Sequence, residues 1–341
     1  MKNFTNLIKT SVVALALLVA GTATAQELTI SGSVDAYYRA NLNAPNTGID
    51  TDADGEVDTY VAPGTSFANQ PGFALGMANI ILGVEGEKSG FVADLVFGPR
   101  GTDAVFASTT ASSSIVNQLY AYWNVSESVT LTMGNFNTFL GYEVISPTAN
   151  YNYSTSYMFS YGPFSHSGVK ADIAIGDASL MLGILNPTDF TDFNPDGQYL
   201  LGAQLGVAGQ YLNVLAGDDY FQIDFTGGFD LSDATFLGIN ATYNNDLFLG
   251  AALYLQQSLS DDFSLGIRGE YFQDSGLGLF TKDESIIDLT LSANYSVGAL
   301  TIIPEFRVDL ASEDVFLEST NDFTQVGGTL ASFVLGAVYS F

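Results

Sequence analysis

The stretch SIIDLTLSANYSV, Ser285 to Val297, sorts its side chains by parity. Ile287, Leu289, Leu291, Ala293, Tyr295 and Val297 fall on one phase, and Asp288, Thr290, Ser292, Asn294 and Ser296 on the other. Successive side chains of a strand point to opposite faces, so this run reads as a strand dividing an apolar surface from a polar one. Its neighbours repeat the pattern. In FSLGIRGEYFQ, Phe263, Leu265, Ile267 and Tyr271 stand apart from Ser264, Arg268 and Glu270; in ALTIIPEFRVDL, Leu300, Ile302, Phe306, Val308 and Leu310 stand apart from Thr301, Glu305, Arg307 and Asp309. Near the start, Leu28, Ile30, Gly32, Val34, Ala36 and Tyr38 oppose Thr29, Ser31, Ser33, Asp35, Tyr37 and Arg39. In all four runs the charges keep to the polar phase.

About sixteen such segments (14 to 16) run from 28–40 to 326–341. Connections of 41–72, 100–113, 139–165 and 186–197 alternate with tight turns, and 274–284 and 311–325 resume the alternation after a weaker stretch. Long loops at one end and short turns at the other are the habit of antiparallel transmembrane β-barrels, which alternate apolar-out and polar-in. A soluble β-sandwich alternates too, but its outer face is polar. Here the apolar phase is continuous, and 25 Phe, 18 Tyr and one Trp can furnish interfacial girdles. The expected fold is an all-β, up-and-down transmembrane barrel with long extracellular loops, one of them folded into the lumen. Pro304, which interrupts a strand, is expected to force a bulge.

Residues 1–25 carry Lys2 and Lys9, an apolar run from Val12 to Ala20, and Ala23-Thr24-Ala25, the form of a cleaved export signal. That run is well under the roughly 20 residues a spanning helix needs. Residues 26–341 are expected to form a single outer-membrane barrel domain. The chain has no cysteine, which excludes disulfides and thiolate metal sites. Removing the signal leaves seven basic residues against 37 acidic ones, a net charge of −30 that excludes a nucleic-acid partner.

On the polar phase, Asp35, Arg39, His166, Lys170, Asp172, Arg268, Glu270, Asp288, Glu305, Arg307 and Asp309 are the candidate pore-lining residues, with Glu143 at the mouth of the long connection. Asp94 and Asp224 share the phase, giving eight wall acids to four bases and hence an expected cation preference. No cofactor is required. The loop DTDADGEVD offers Asp50, Asp52, Asp54, Glu56 and Asp58 as candidate calcium ligands, in the order of a tight calcium loop. Its twelfth position is Val61 rather than a bidentate Glu, and a solvated acidic loop is the plainer reading.

The stretch GNFNTFLGYEVISPTANYNYSTSYMFSYGPFSHSG, Gly134 to Gly168, resembles the β-barrel porins of the OmpL-like type. The match lies on Gly134, Phe136, Thr138, Gly141, Tyr142, Glu143, Tyr153, Ser154, His166 and Gly168, with Asn186 at the end of the next strand. The resemblance implies a porin-like channel in the bacterial outer membrane, passing small hydrophilic solutes among lipid and lipopolysaccharide. The ending SFVLGAVYSF, with aromatic Phe341 last, resembles the signal that barrel-assembly machinery reads. Outer-membrane phospholipase A is also a barrel, but its serine follows its histidine at a spacing of two; here Ser165 and Ser167 flank His166 and point away from it, so a non-enzymatic protein is expected. The rival to a channel is a structural or adhesin-type barrel that binds a ligand through its loops.

Overall fold

A computed structural model describes residues 27–52, 54–320 and 322–341; the expected signal segment lies outside the described residues. Sixteen strands close into one antiparallel barrel. They are β1 (Leu28–Asn41), β2 (Gly72–Val84), β3 (Ser89–Phe97), β4 (Val116–Ser126), β5 (Val129–Asn137), β6 (Ser165–Ile175), β7 (Ala178–Leu185) and β8 (Leu200–Val207). The second half comprises β9 (Gln210–Ala216), β10 (Phe221–Ser232), β11 (Thr235–Asn244), β12 (Phe248–Ser258), β13 (Phe263–Asp274), β14 (Ser285–Val297) and β15 (Leu300–Ala311). A two-stranded hairpin, β16 (Phe316–Leu317) with β17 (Val326–Gly327), precedes the last barrel strand, β18 (Thr329–Ser340).

Parity decides which face each residue takes. On β14, Leu289 and Leu291 are 49% and 46% exposed on the outer wall, while Asp288, Thr290 and Ser292 are buried inside. The barrel closes where β1 pairs with β18, Ala36 opposite Ala337. Two backbone hydrogen bonds of 3.0 Å between Gly32 and Phe341 complete the seam, leaving the Phe341 ring on the outer wall.

The connections fall into two classes. At one end are tight turns, such as Ala208-Gly209, whose positive φ values of 52° and 76° match the twist of the strands they join. At the other are the long connections, labelled L1 (42–71), L2 (98–115), L3 (138–164), L4 (186–199), L7 (275–284) and L8 (312–328), with the shorter 217–220 and 245–247 between L4 and L7. L2 carries the short helix α1 (Pro99–Ala104), and L3 the short helix α2 (Tyr157–Tyr161).

Pro304 produces no bulge. Ser292 opposite Glu305 and Tyr295 opposite Ile302 stand in one register, and the ladder merely skips the two positions between them. On its other edge β15 pairs with β18 without a break. The missing N–H therefore costs ladder contact with β14 only.

Candidate functional site

A sixteen-stranded ring is wide enough to leave space that side chains alone do not fill. L3 enters that space. Its segment Tyr153–Met158 is mostly irregular backbone, whose N–H and C=O groups need partners that no neighbouring strand supplies. The barrel wall and the adjoining loops supply them as charges. Three consecutive carbonyls each accept from a different guanidinium: Tyr153 O from Arg100 Nη2 at 3.1 Å, Ser154 O from Arg268 Nη1 at 2.7 Å and Thr155 O from Arg307 Nη1 at 2.7 Å. The N–H groups point to carboxylates. Tyr153 and Ser154 donate to the two oxygens of Glu305 at 2.8 and 3.2 Å, and Tyr157 and Met158 to the two of Glu270 at 2.8 and 2.7 Å. Ser156 donates to Glu143 at 2.8 Å, within L3 itself. Ser156 also caps α2, its hydroxyl accepting from Phe159 N.

Two of these arginines also pair with carboxylates. Asp288 bridges Arg268 and Arg307 at 2.8 and 2.9 Å, Arg268 also meets Glu143 at 2.7 Å, and Arg307 meets Asp309 at 2.7 Å. Bidentate guanidinium forks suit such shared recognition of carboxylate and carbonyl. Breaking a buried pair by removing one partner strands the other charge, so Glu143, Arg268, Asp288, Arg307 and Asp309 depend on one another.

Shape completes the docking. Inward-facing glycines leave hollows in the wall, and each takes a large L3 side chain: Tyr142 over Gly238, Tyr151 over Gly266, Tyr153 over Gly336 and Met158 over Gly250. A Cβ built on any of the four would lie within 2.1–2.6 Å of the seated side chain. Tyr142 also stacks on Tyr254 at 4.2 Å between ring centroids.

L1 and L2 join the plug. Arg39 donates to Val61 O at 3.1 Å, tying L1 to β1, and Ser66 N donates to Ser160 Oγ at 2.8 Å, tying L1 to L3. Phe67 and Ala68 hold left-handed φ values of 71° and 55°, strain that packing must hold in place. Arg100, from α1, lies between the Phe67 ring of L1 at 4.5 Å and the Tyr153 ring of L3 at 4.9 Å, and 3.8 Å from Asp35 of β1. All four arginines of the chain, Arg39, Arg100, Arg268 and Arg307, are thus buried and each donates to a loop carbonyl.

Ten of the twelve residues expected to line water are instead covered. Asp35, Arg39, Glu143, His166, Arg268, Glu270, Asp288, Glu305, Arg307 and Asp309 are at most 8% exposed. The nine of them on strands face inward, and loop backbone and loop side chains cover them. His166 Nε2 meets Thr138 Oγ at 2.9 Å at the root of L3, beside the Phe139 ring. Lys170 and Asp172 alone of the twelve keep open surface, paired at 2.8 Å. They face a cavity of about 410 Å³ along β4, β5 and β6.

In L1, the carboxylates of Asp50, Asp52 and Asp58 come within 4.8 Å of one another. Asp54 and Glu56 are not in that group: Asp54 accepts from Glu56 N at 2.8 Å, and Glu56 is exposed. L2 and L4 are tied outside the lumen by Asp192, which accepts from Thr109 N at 3.0 Å and Ser113 Oγ at 2.6 Å. Hydrogen bonding holds the Asp192 carboxyl below the usual carboxylate range, the Ser113 hydroxyl contributing most.

Residues 27–341 match one protein family end to end. The chain belongs to the family described as putative beta-barrel porin-2, OmpL-like. Membership and the apolar outer wall make the protein a porin-type barrel of the bacterial outer membrane, with the long loops extracellular. No curated protein sequence matches the chain. Solved structures with the same fold include a loop L8 deletion mutant of OmpT, an outer membrane protein of Vibrio cholerae, at 14% identity and TM-score 0.56 over 93% of this chain and 100% of that one. In-vitro folded OmpT gives 12% and 0.54 over 94% and 99%. The high-pH structure of Pseudomonas putida OprB gives 11% and 0.58 over 92% and 94%. At such identities these likenesses concern the fold alone.

Arg100 and the four glycines are the functional residues that sequence reasoning missed. Arg100 lies outside any alternating run. Gly238 and Gly266 do lie on the polar phase, a readable sign of hollows in the wall, whereas Gly250 and Gly336 stand among apolar inward residues.

Proposed function

We propose that this OmpL-like barrel is a passive channel for small hydrophilic solutes, that loop 139–165 narrows its pore, and that the pore prefers cations. The observation that carries the reading is the clamp on Tyr153–Met158, where charged side chains on β13 and β15 act on loop backbone inside the ring. A loop held that firmly across a wide barrel sets the free cross-section. Cation preference rests on the eight inward-facing acids against four bases, because a lumen of low dielectric focuses the net field. The burial of ten of the twelve charged candidates under loops favours a second reading, a non-conducting structural or adhesin-type barrel that binds a ligand through its extracellular loops.

Reversal potential of the refolded protein in planar bilayers under a potassium chloride gradient tests the proposal. Discrete steps with a cation-biased reversal potential are expected. Silence across many insertions would favour the second reading, and an anion-biased potential would sink the preference.

The three converging carboxylates of L1 also support calcium binding there. Calorimetry on the whole protein should show saturable heat that Asp52→Asn removes; no heat at millimolar calcium would end that idea. Partners beyond the membrane lipid, including lipopolysaccharide and the barrel-assembly machinery, are proposed on the family and on the aromatic C-terminus.

A further inference from the structure

The cavity along β4, β5 and β6 differs from the rest of the lumen because side chains line it and no loop fills it. It runs from Phe136 and Asn137, at the root of L3, to Asn124 and Thr130, near the periplasmic turn. Three aromatic rings form its wall. Tyr120 and Tyr122 are two residues apart on β4 and so face inward in file, and Phe136 meets Tyr120 edge to face at 6.5 Å. Tyr122 lies across Gly90, the residue opposite it on β3; a Cβ there would stand 2.4 Å from the phenol oxygen. The glycine therefore lets the ring lie back against the wall.

Between the rings stand neutral hydrogen-bonding groups. Thr130 and Thr132 on β5 and Asn124 on β4 flank the tyrosines. Neither the Tyr120 nor the Thr132 hydroxyl hydrogen-bonds another described residue, so both remain available. The only charges are Lys170 and Asp172, which neutralise each other at 2.8 Å, with the ammonium also 5.4 Å from the Phe136 ring centre. A fixed pair of this kind offers no net field for an ion. Small-molecule sites of roughly 300–1,000 Å³ combine apolar lining with a few placed polar groups, and this cavity of about 410 Å³ falls in that range.

We infer that this cavity is a transit subsite for a neutral, polyhydroxylated ring solute of sugar type. The apolar faces of such a ring lie on Tyr120 and Tyr122, and its hydroxyls exchange partners among Tyr120, Thr132, Asn124 and the Lys170–Asp172 pair. An aromatic file holds the solute without fixing its register, so binding is weak and release easy. The inference deepens the channel reading by naming a solute class.

Calorimetry on the full-length barrel refolded in detergent, with maltose and with sodium glutamate as probes, tests it without any current. Maltose should bind in the millimolar range and glutamate should not. Tyr120→Ala and Tyr122→Ala should each weaken maltose binding about 3- to 10-fold, while Tyr122→Phe, which keeps the ring, should stay near wild type. No maltose binding up to about 100 mM, or binding indifferent to both alanine variants, would overturn the inference. If an alanine variant fails to refold, Thr132→Val gives the same reading from the polar side. Maltose binding by a barrel that never conducts would keep the subsite and sink the channel; steady current from a barrel that binds no maltose would do the reverse.

Discussion

Arg100 sits on a six-residue helix in L2, stacked between rings of L1 and L3 and bonded to two L3 carbonyls, Ile145 O at 3.4 Å and Tyr153 O at 3.1 Å. It joins loops that are distant in sequence, and no periodicity marks it. The inward charges of β13 to β15 were legible in kind and in face, because parity is a local property. Their partners were not, because a carboxylate awaiting loop backbone and one awaiting water look alike in sequence. Glu270→Ala removes the acceptor of two N–H groups at the start of α2. The loss should loosen α2 by about 1–3 kcal/mol, seen as faster hydrogen exchange at Tyr157 and Met158 with the barrel strands unchanged. Unchanged exchange at those amides would contradict the clamp. Asp192 gives a pH prediction. Its folded-state pKa is depressed, so its contribution is present above the unfolded value near pH 4 and is lost as pH falls through the lower folded value. Protection of the Thr109 amide should fall on acidification in that window. In Asp192→Asn the pH dependence should be absent.

Strands were the readable elements. Their number, order and faces follow from period-two alternation and from connection lengths, and β14 occupies the run Ser285–Val297 as quoted. Two elements departed from expectation. The residues before β18 were expected to extend it from 326, yet Val326–Gly327 pairs with Phe316–Leu317 as a separate hairpin. Pro304 was expected to shift the register, but a local gap in one ladder absorbs it. Loop docking was legible only in part. The Tyr- and Ser-rich composition of L3 suggested insertion, whereas the parallel insertion of L1 around Phe67 had no comparable sign. Filling the glycine hollows tests the docking at this scale. Gly336→Val puts methyl groups where the Tyr153 ring lies, and Gly250→Val where Met158 lies, so each should displace L3 and raise the conductance step. Steps identical to wild type in both variants, with the barrel folded, would mean that the loop does not govern the opening.

For the whole molecule, the charge distribution reads differently inside and out. Most lumen charges are spent on holding loops, which leaves Asp172 and Lys170 as the exposed charges of the cavity wall. Asp172→Lys therefore tests selectivity better than changes at Asp288 or Glu305, which would strand buried partners. It should move the reversal potential toward anions without altering the fold, as judged by unchanged heat-modified gel mobility. No movement would remove Asp172 from the selectivity account. The fold and its family were within reach of sequence because a membrane barrel must satisfy every backbone group in its ladders and turn apolar residues outward. The state of the pore was not, because it depends on how three loops pack together. The most direct measurement is the single-channel conductance of the refolded barrel in planar bilayers with residues 147–163 intact and then deleted. Larger, still cation-biased steps after deletion are predicted; equal steps in the two forms, or silence in both, would contradict a pore narrowed by L3.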